Sequence, residues 1–277
     1  MEHAPLNCLD GGKKREETKH MMDMDKLAEC ILAARLDGKM PAQTERWIGS
    51  TDIDDAYSVQ VDVLRGMEHR SGGRIIGRKV GCTNQSARDL LGLDGPFHGA
   101  LFSDTAIASP ARIARADYPF IVLEPEFALR LGKPLGPESA PHTAESVAEA
   151  VDAVLPALEI VSSCHKDWTR TGPALVIADN GSSYGWVHGT PVTDWDVDTL
   201  MSAEVTLHVD GNQVATGNAR NVDGGPLGVM AWLADRVSLP AGAFVSTGTT
   251  TSVHFGDRGE RVKALFGKFG EVSVEIT

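Results

Sequence analysis

In the stretch LPALEIVSS, residues 155–163, an extended backbone places Ala157, Glu159 and Val161 on one face and Leu158 and Ile160 on the other. Neither face is polar, so the segment predicts a strand buried on both sides. A lone carboxylate in such a place costs several kcal/mol unless it is protonated, paired or bound to a metal. Glu159 therefore needs a partner, and the rest of the chain has to supply it.

A second strand-like run, IVLEPEFALR at residues 121–130, carries Glu124 and Glu126 two positions apart. On a strand such residues share a face at roughly 6.5 to 7 Å, so both carboxylates can converge on one cation. The same pattern also fits an amphipathic strand, with Ile121, Leu123, Phe127 and Leu129 inside and the glutamates and Arg130 facing water. Three carboxylates, Glu124, Glu126 and Glu159, would suit Mg²⁺ or Mn²⁺ better than zinc, since their oxygens are hard ligands. Pairing of Glu159 with an arginine or lysine is the competing reading.

Lys79 lies in GRKVGCT between Gly77 and Gly81, and strand alternation sends it and Arg78 to opposite faces. One of the two cations points inward, where a lysine can hold an anionic substrate or move protons. The segment IADNGSSYG, residues 177–185, places Asp179, Asn180 and Gly181 as turn residues, with Ser182 and Ser183 offering hydroxyls to a ligand. STGTTTSVHFGD, residues 246–257, has the composition of a polar binding loop leaving a strand. His98, His165 and His254 match no His-Glu-x-x-His pattern and there is no Gly-x-Ser-x-Gly elbow.

A formal charge of −12 with no dense Lys/Arg block argues against a nucleic-acid partner and for small molecules or proteins. The four cysteines are scattered without a Cys-x-x-Cys pair, which fits reduced thiols in a cytoplasm. No apolar run approaches the ~18 residues of a membrane span, so no membrane is expected as a partner. Residues 1–23 lack periodicity and predict a disordered extension. Two helices follow, one from Asp25 to a stop at Gly38 and one capped by Thr51, so residues 24–75 form a helical part packed on a β-rich domain at 76–277. Strands are predicted near 73–81, 100–108, 119–131, 156–162, 174–178, 185–189, 203–209, 243–247 and 271–276, with helices at 143–154 and 226–237.

Taken in order, GRKVGCT, EPEFAL, LPALEIVSS, IADNGSS, GGPLGVMAWLADRV and GAFVSTGTTT resemble the fumarylacetoacetate hydrolase superfamily, in its 2-keto-4-pentenoate hydratase and 4-oxalocrotonate decarboxylase branch. The resemblance runs from about residue 24 to the C-terminus. It implies an α+β fold: a mixed β-roll with a smaller α/β N-terminal part. It also implies that Glu124, Glu126 and Glu159 hold a divalent metal, and that Lys79 does acid-base work. The segment from Asp179 through Asn180 and Ser182 to Ser183, and Gly248 with Thr249, would approach the substrate. That substrate would be a short 2-oxo or 2-hydroxy-dienoic acid, hydrated or decarboxylated in a homo-oligomeric enzyme. The chain departs from the family in two places. Ser163 and Cys164 stand where a Ser-Arg pair is usual, and Phe97 and His98 stand where some hydratases place an aspartate. His98 is thereby a candidate for the missing acid-base group, alongside its reading as a packing histidine.

Overall fold

From the N-terminus run α1 (Asp10–Asp37), α2 (Ile53–Ser71), β1 (Ile75–Gly81), α3 (Gln85–Leu91), β2 (Phe97–Phe102), β3 (Ala106–Ala108) and β4 (Ala111–Ile113). Next come β5 (Val122–Leu131), α4 (Ala144–Ala148), β6 (Val151–Val161), α5 (Pro173–Ala178), β7 (Ser183–His188) and α6 (Val197–Ser202). The last part holds β8 (Glu204–Val209), β9 (Asn212–Asn218), α7 (Gly225–Ala234), β10 (Phe244–Thr249), β11 (His254–Phe255), β12 (Arg261–Leu265) and β13 (Glu271–Ile276). This computed structural model describes residues 10–37, 47, 51–165 and 167–277.

Among the described residues the strands form two sheets. The larger has the order β2-β1-β10-β5-β6-β7-β3, with β11 beside β5, and the smaller the order β4-β13-β12-β8-β9. β2 and β7 touch although four strands separate them in the larger sheet, so that sheet is rolled. Its inside is lined by Ala128, Ala153 and Ala157, whose small side chains leave room for Leu155 and Trp186. Its outside buries Leu123, Phe127, Leu158 and Ile160 against the smaller sheet and α7. Phe127 meets Phe266 and Phe269 edge-on at centroid distances of 5.0 and 5.4 Å. β6 is thus covered on both sides, as its doubly apolar pattern requires.

The helices α1, α2 and α5 form a separate core with Phe97, Ala100 and Phe102 of β2. α2 buries Ala56, Val59, Val63, Leu64 and Met67 along one stripe. Its N-cap is Asp52, which accepts from the Asp55 N–H, rather than Thr51. α1 starts at Asp10, so residues 10–23 are helical backbone and not the expected disordered extension; residues 1–9 and Gly38 lie outside the described residues.

Two further expectations fail for local reasons. The strand expected at 174–178 is α5: Pro173 sits at the first helical position, and five consecutive buried residues give no period to separate helix from strand. The helix expected at 143–154 is only Ala144–Ala148, held by a Thr143/Ser146 capping box, after which β6 begins at Val151. The strand at 100–108 is broken into β2 and β3. β9 and β12 were not anticipated, although Asp210 and Gly211, at φ 49° and 84°, form the two-residue left-handed turn that an Asp-Gly pair announces.

Candidate metal centre

Glu124 and Glu126 share a face of β5, and Glu124 pairs directly with Glu159 of β6. One carboxylate oxygen from each of the three lies within 4.8 Å of the others. That face looks into the roll rather than to water. Glu126 and Glu159 are 0% exposed, which rules out the amphipathic reading of β5. Ser246 of β10 donates to Glu126 Oε2 at 2.5 Å, while Glu126 Oε1 and both oxygens of Glu159 accept no hydrogen bond. Lys79 Nζ stands 3.2 Å from Glu159 Oε1, close enough for an ion pair but poorly angled for a hydrogen bond. Both readings of Glu159 therefore hold: it is paired with a lysine and it converges with the other two acids.

The electrostatics make the cluster unstable as bare charge. Burial, then Glu159, push Glu124 up to about 7, with Lys79 acting against them. Burial, then Glu159 and Glu124, hold Glu126 well above the usual carboxylate range. Burial alone would lower Lys79, but Glu159, Glu124 and Glu126 outweigh it and raise the ammonium above its ordinary value. Buried oxygens without donors, all of the hard type and mutually repelling, are what a divalent cation would satisfy. The residues fit such an ion.

A cavity of about 520 Å³ opens above the acids. Its lining includes Lys79, Glu124, Gly181, Gly248 and Thr249 together with the apolar Leu90, Leu91, Val122, Val161, Trp168 and Phe255. Lys79 is the one cation among the described residues that line it. Gly248 has φ 100° and faces Thr83 so closely that a Cβ has no room, which explains the glycine.

The other predicted residues divide into those at the cavity and those behind it. Gly248 and Thr249 line the cavity. Asp179 does not: Arg35 of α1 holds it at 2.7 Å, and it accepts from Ser163 Oγ at 2.9 Å. Asn180 exchanges hydrogen bonds with the Ala100 backbone at 2.6 and 3.0 Å. Ser182 and Ser183 are buried, and Ser182 Oγ has no partner. His98 is outside the site: it shares a face with Arg78 and Val80, opposite Lys79, and stacks on Tyr57 at 4.6 Å. Burial, with Arg78 and Arg236 adding to it, lowers His98 to about 4. The acid-base reading of His98 is thus corrected to a packing role.

Sequence reasoning gave Phe97, Gly181 and Ser246 no part in the site, though the first two line the cavity and the third holds Glu126. Phe97 could have been found by alternation, since it shares its face with Gly99, the partner of Lys79, and its ring lies 5.1 Å from Lys79 Nζ. Ser246 was read as the point where the strand at 243–247 passes into a polar loop, without a role at the acids; it sits on β10 opposite Ala128.

Comparison with known proteins gives the family. Residues 93–277 match the fumarylacetoacetate (FAA) hydrolase C-terminal family, and the chain belongs to that family. The protein named 2-keto-4-pentenoate hydratase 2 of Dechloromonas aromatica (strain RCB) is 32% identical over 262 residues, spanning 92% of this chain and 98% of that protein. A 2-keto-4-pentenoate hydratase of Paraburkholderia xenovorans (strain LB400) is 33% identical over 231 residues, 81% of this chain and 84% of its own. Among solved structures, 4-oxalocrotonate decarboxylase from Pseudomonas putida G7, complexed with magnesium and adipate, superposes with a TM-score of 0.85 at 26% identity. That match covers 93% of this chain and 98% of the other. Hydratases and decarboxylases of this kind are both lyases.

Proposed function

We propose that this protein is a divalent-metal-dependent hydratase that adds water to a short 2-hydroxy-2,4-dienoate and yields a 4-hydroxy-2-oxo acid. The observation that carries the reading is the convergence of three buried carboxylates beside Lys79, the one cation among the described residues that line the adjoining cavity. Glu124, Glu126 and Glu159 would hold Mg²⁺ or Mn²⁺, which supplies a Lewis acid for the substrate's carboxylate and neighbouring oxygen. Lys79 Nζ lines the same cavity, where it would orient the 2-hydroxyl, take its proton and return one to C5 of the dienol. Neutralising the glutamates removes what holds Lys79 up and leaves burial, its largest influence, to favour the amine form. Water then adds across the C3–C4 double bond of the resulting 2-oxo-3-enoate, hydroxyl at C4 and proton at C3. Phe97, Val122 and Val161 flank this part of the cavity and limit other water.

Decarboxylation of a 2-oxo-3-enedioate would call for a cation at the far end to hold a second carboxylate. Arg78, Arg170 and Arg220 do not line the cavity: Arg78 faces away beside Pro240, and the other two are exposed. The deciding experiment follows the ultraviolet absorbance of 2-hydroxypenta-2,4-dienoate and of a 2-oxo-3-enedioate with Mg²⁺ and with EDTA. Metal-dependent loss of the dienoate without CO₂ is expected, and CO₂ release from the enedioate at a higher kcat/KM would reverse the assignment.

A cytoplasmic setting is supported by the thiols of Cys82 and Cys164, which are buried and free of disulfides, and no helix among the described residues is long and apolar enough to cross a membrane. Self-association is supported by the edge strand β9, which carries the exposed Val214.

A further inference from the structure

We infer that Arg35, on α1, is a positioning residue for the active site, clamping both ends of the loop at 179–183 whose Gly181 forms the cavity wall beside Lys79. The side chain of Arg35 is 4% exposed and that of Asp179 0%. Nη1 donates to Asp179 Oδ1 at 2.7 Å and to the Asp179 carbonyl at 3.1 Å, and Nη2 donates to the Ser183 carbonyl. One guanidinium thus ties the first residue of the loop to the last. Its plane lies 3.9 Å over the Tyr184 ring, which fixes its orientation.

What lies between those ends needs holding. Asn180, Gly181 and Ser182 have φ of 52°, 60° and 59°, three successive left-handed residues of which only one is glycine. Such a run persists where its surroundings over-determine it. Asn180 supplies part of that by its two bonds to Ala100 of β2, Ser163 Oγ and the Cys164 and Ser162 N–H groups donate to Asp179 and Ser182, and Arg35 alone joins the loop's two ends to one side chain. The run matters because Gly181 packs on the site. A Cβ there would come within 2.7 Å of Phe97 and 3.1 Å of Lys79 Cε, so the loop backbone is the surface against which the lysine stem rests.

A buried ion pair is a poor source of net stability, because desolvation offsets most of its attraction. Its use here is geometric. The guanidinium fork makes three contacts in two directions, which a lysine ammonium cannot reproduce. Among the described residues, none of Arg35's hydrogen bonds or ion pairs reaches β5 or Glu159, so the carboxylates are held without it. Arg35 also precedes the residues 93–277 that match the family, as Lys79 does. The helical part is on this account a working piece of the site.

The test uses the full chain, with Arg35→Lys as the main variant and Gly181→Ala as an independent disturbance of the same wall. Amide hydrogen exchange of the metal-free proteins is read on peptides covering 179–183 and on β5 and β6. Mn²⁺ affinity is titrated, and kcat and KM are measured on the dienoate. Only this last readout rests on the hydratase reading. For R35K we expect at least tenfold faster exchange confined to the loop, Mn²⁺ affinity within twofold of wild type, and kcat lowered at least tenfold. Gly181→Ala should lower kcat likewise with unchanged Mn²⁺ affinity. Wild-type exchange of the loop in R35K would overturn the inference. So would faster loop exchange with unaltered kcat, or a uniform rise in exchange over the whole chain. A wild-type protein that turns over no dienoate defeats the hydratase reading instead, and the exchange data still decide the clamp.

Discussion

The floor and the wall of this cavity are built on opposite principles. The floor, Glu124, Glu126 and Glu159, stands on two long neighbouring strands whose backbone ladder fixes it, and its side chains are left with unmet oxygens. The wall, residues 179–183, has little regular backbone pairing and is fixed largely by side-chain bonds, its own and those of distant residues. Arg35 and Asn180 hold it directly, and Gln60 of α2 supports its approach by bonding the Ile177 and His98 carbonyls at 2.7 and 3.0 Å. The floor is rigid but electrostatically frustrated, whereas the wall has its charged end paired and its middle conformationally strained. Damage to each should therefore show differently.

The largest effect is expected at the floor. Glu126→Ala should abolish Mg²⁺-dependent turnover, a loss of more than about 10³-fold, since one of three ligands goes. Its isosteric relative Glu126→Gln should do the same while raising the thermal midpoint in EDTA, because it removes a buried acid from beside two others. A lowered midpoint in EDTA would show that the floor is not frustrated. Lys79→Met should cost about 10²- to 10⁴-fold in kcat, the usual range for a lost acid-base group. The same variant should bind Mn²⁺ more tightly, because an ammonium 3.2 Å from Glu159 no longer competes with the ion. Weaker Mn²⁺ binding in K79M would mean that the lysine organises the acids instead of opposing the metal.

The same contrast explains what could be read from sequence. The floor was legible because a carboxylate in a doubly apolar strand is an anomaly that only a partner resolves, and because i, i+2 spacing maps directly onto one face. The second half of strand β6 and its burial followed from the same nine residues, while its first residues, 151–154, were assigned to a helix. The wall was not legible, since its supports come from 144 residues away in the case of Arg35 and Asp179. Asp179 and Asn180 were marked as residues of interest, but turn chemistry says nothing of whether such side chains face a ligand or a distant arginine. His98 failed for a related reason: alternation assigns it a face relative to Lys79 only once the β1–β2 register is known.

Acid separates the floor from the helical side most finely. In the metal-free protein Glu124 titrates near 7, above its ordinary 4.5, so it contributes stability that is present below about 4.5 and lost as pH rises through about 7. His98 runs the other way. Its pKa of about 4 lies below the ordinary 6.5, so the unfolded chain takes up a proton through 6.5 that the native state refuses until about 4. Over pH 7 to 4.5 the floor gains stability in EDTA and His98 loses it, each by an amount on the order of 2 kcal/mol. His98→Phe keeps an aromatic ring against Tyr57 and leaves the backbone bonds from Tyr57 and Gln60 in place. Denaturant midpoints of that variant should rise relative to wild type as pH falls through this window, and those of Glu126→Gln should fall relative to it. With saturating Mg²⁺ the floor's contribution should reverse, because binding then requires Glu124 to lose its proton and affinity drops by about tenfold per pH unit below 7 for each proton displaced. His98, which touches no ligand, should keep the same acid slope with or without the metal, and a slope that changes would place it in contact with the site after all.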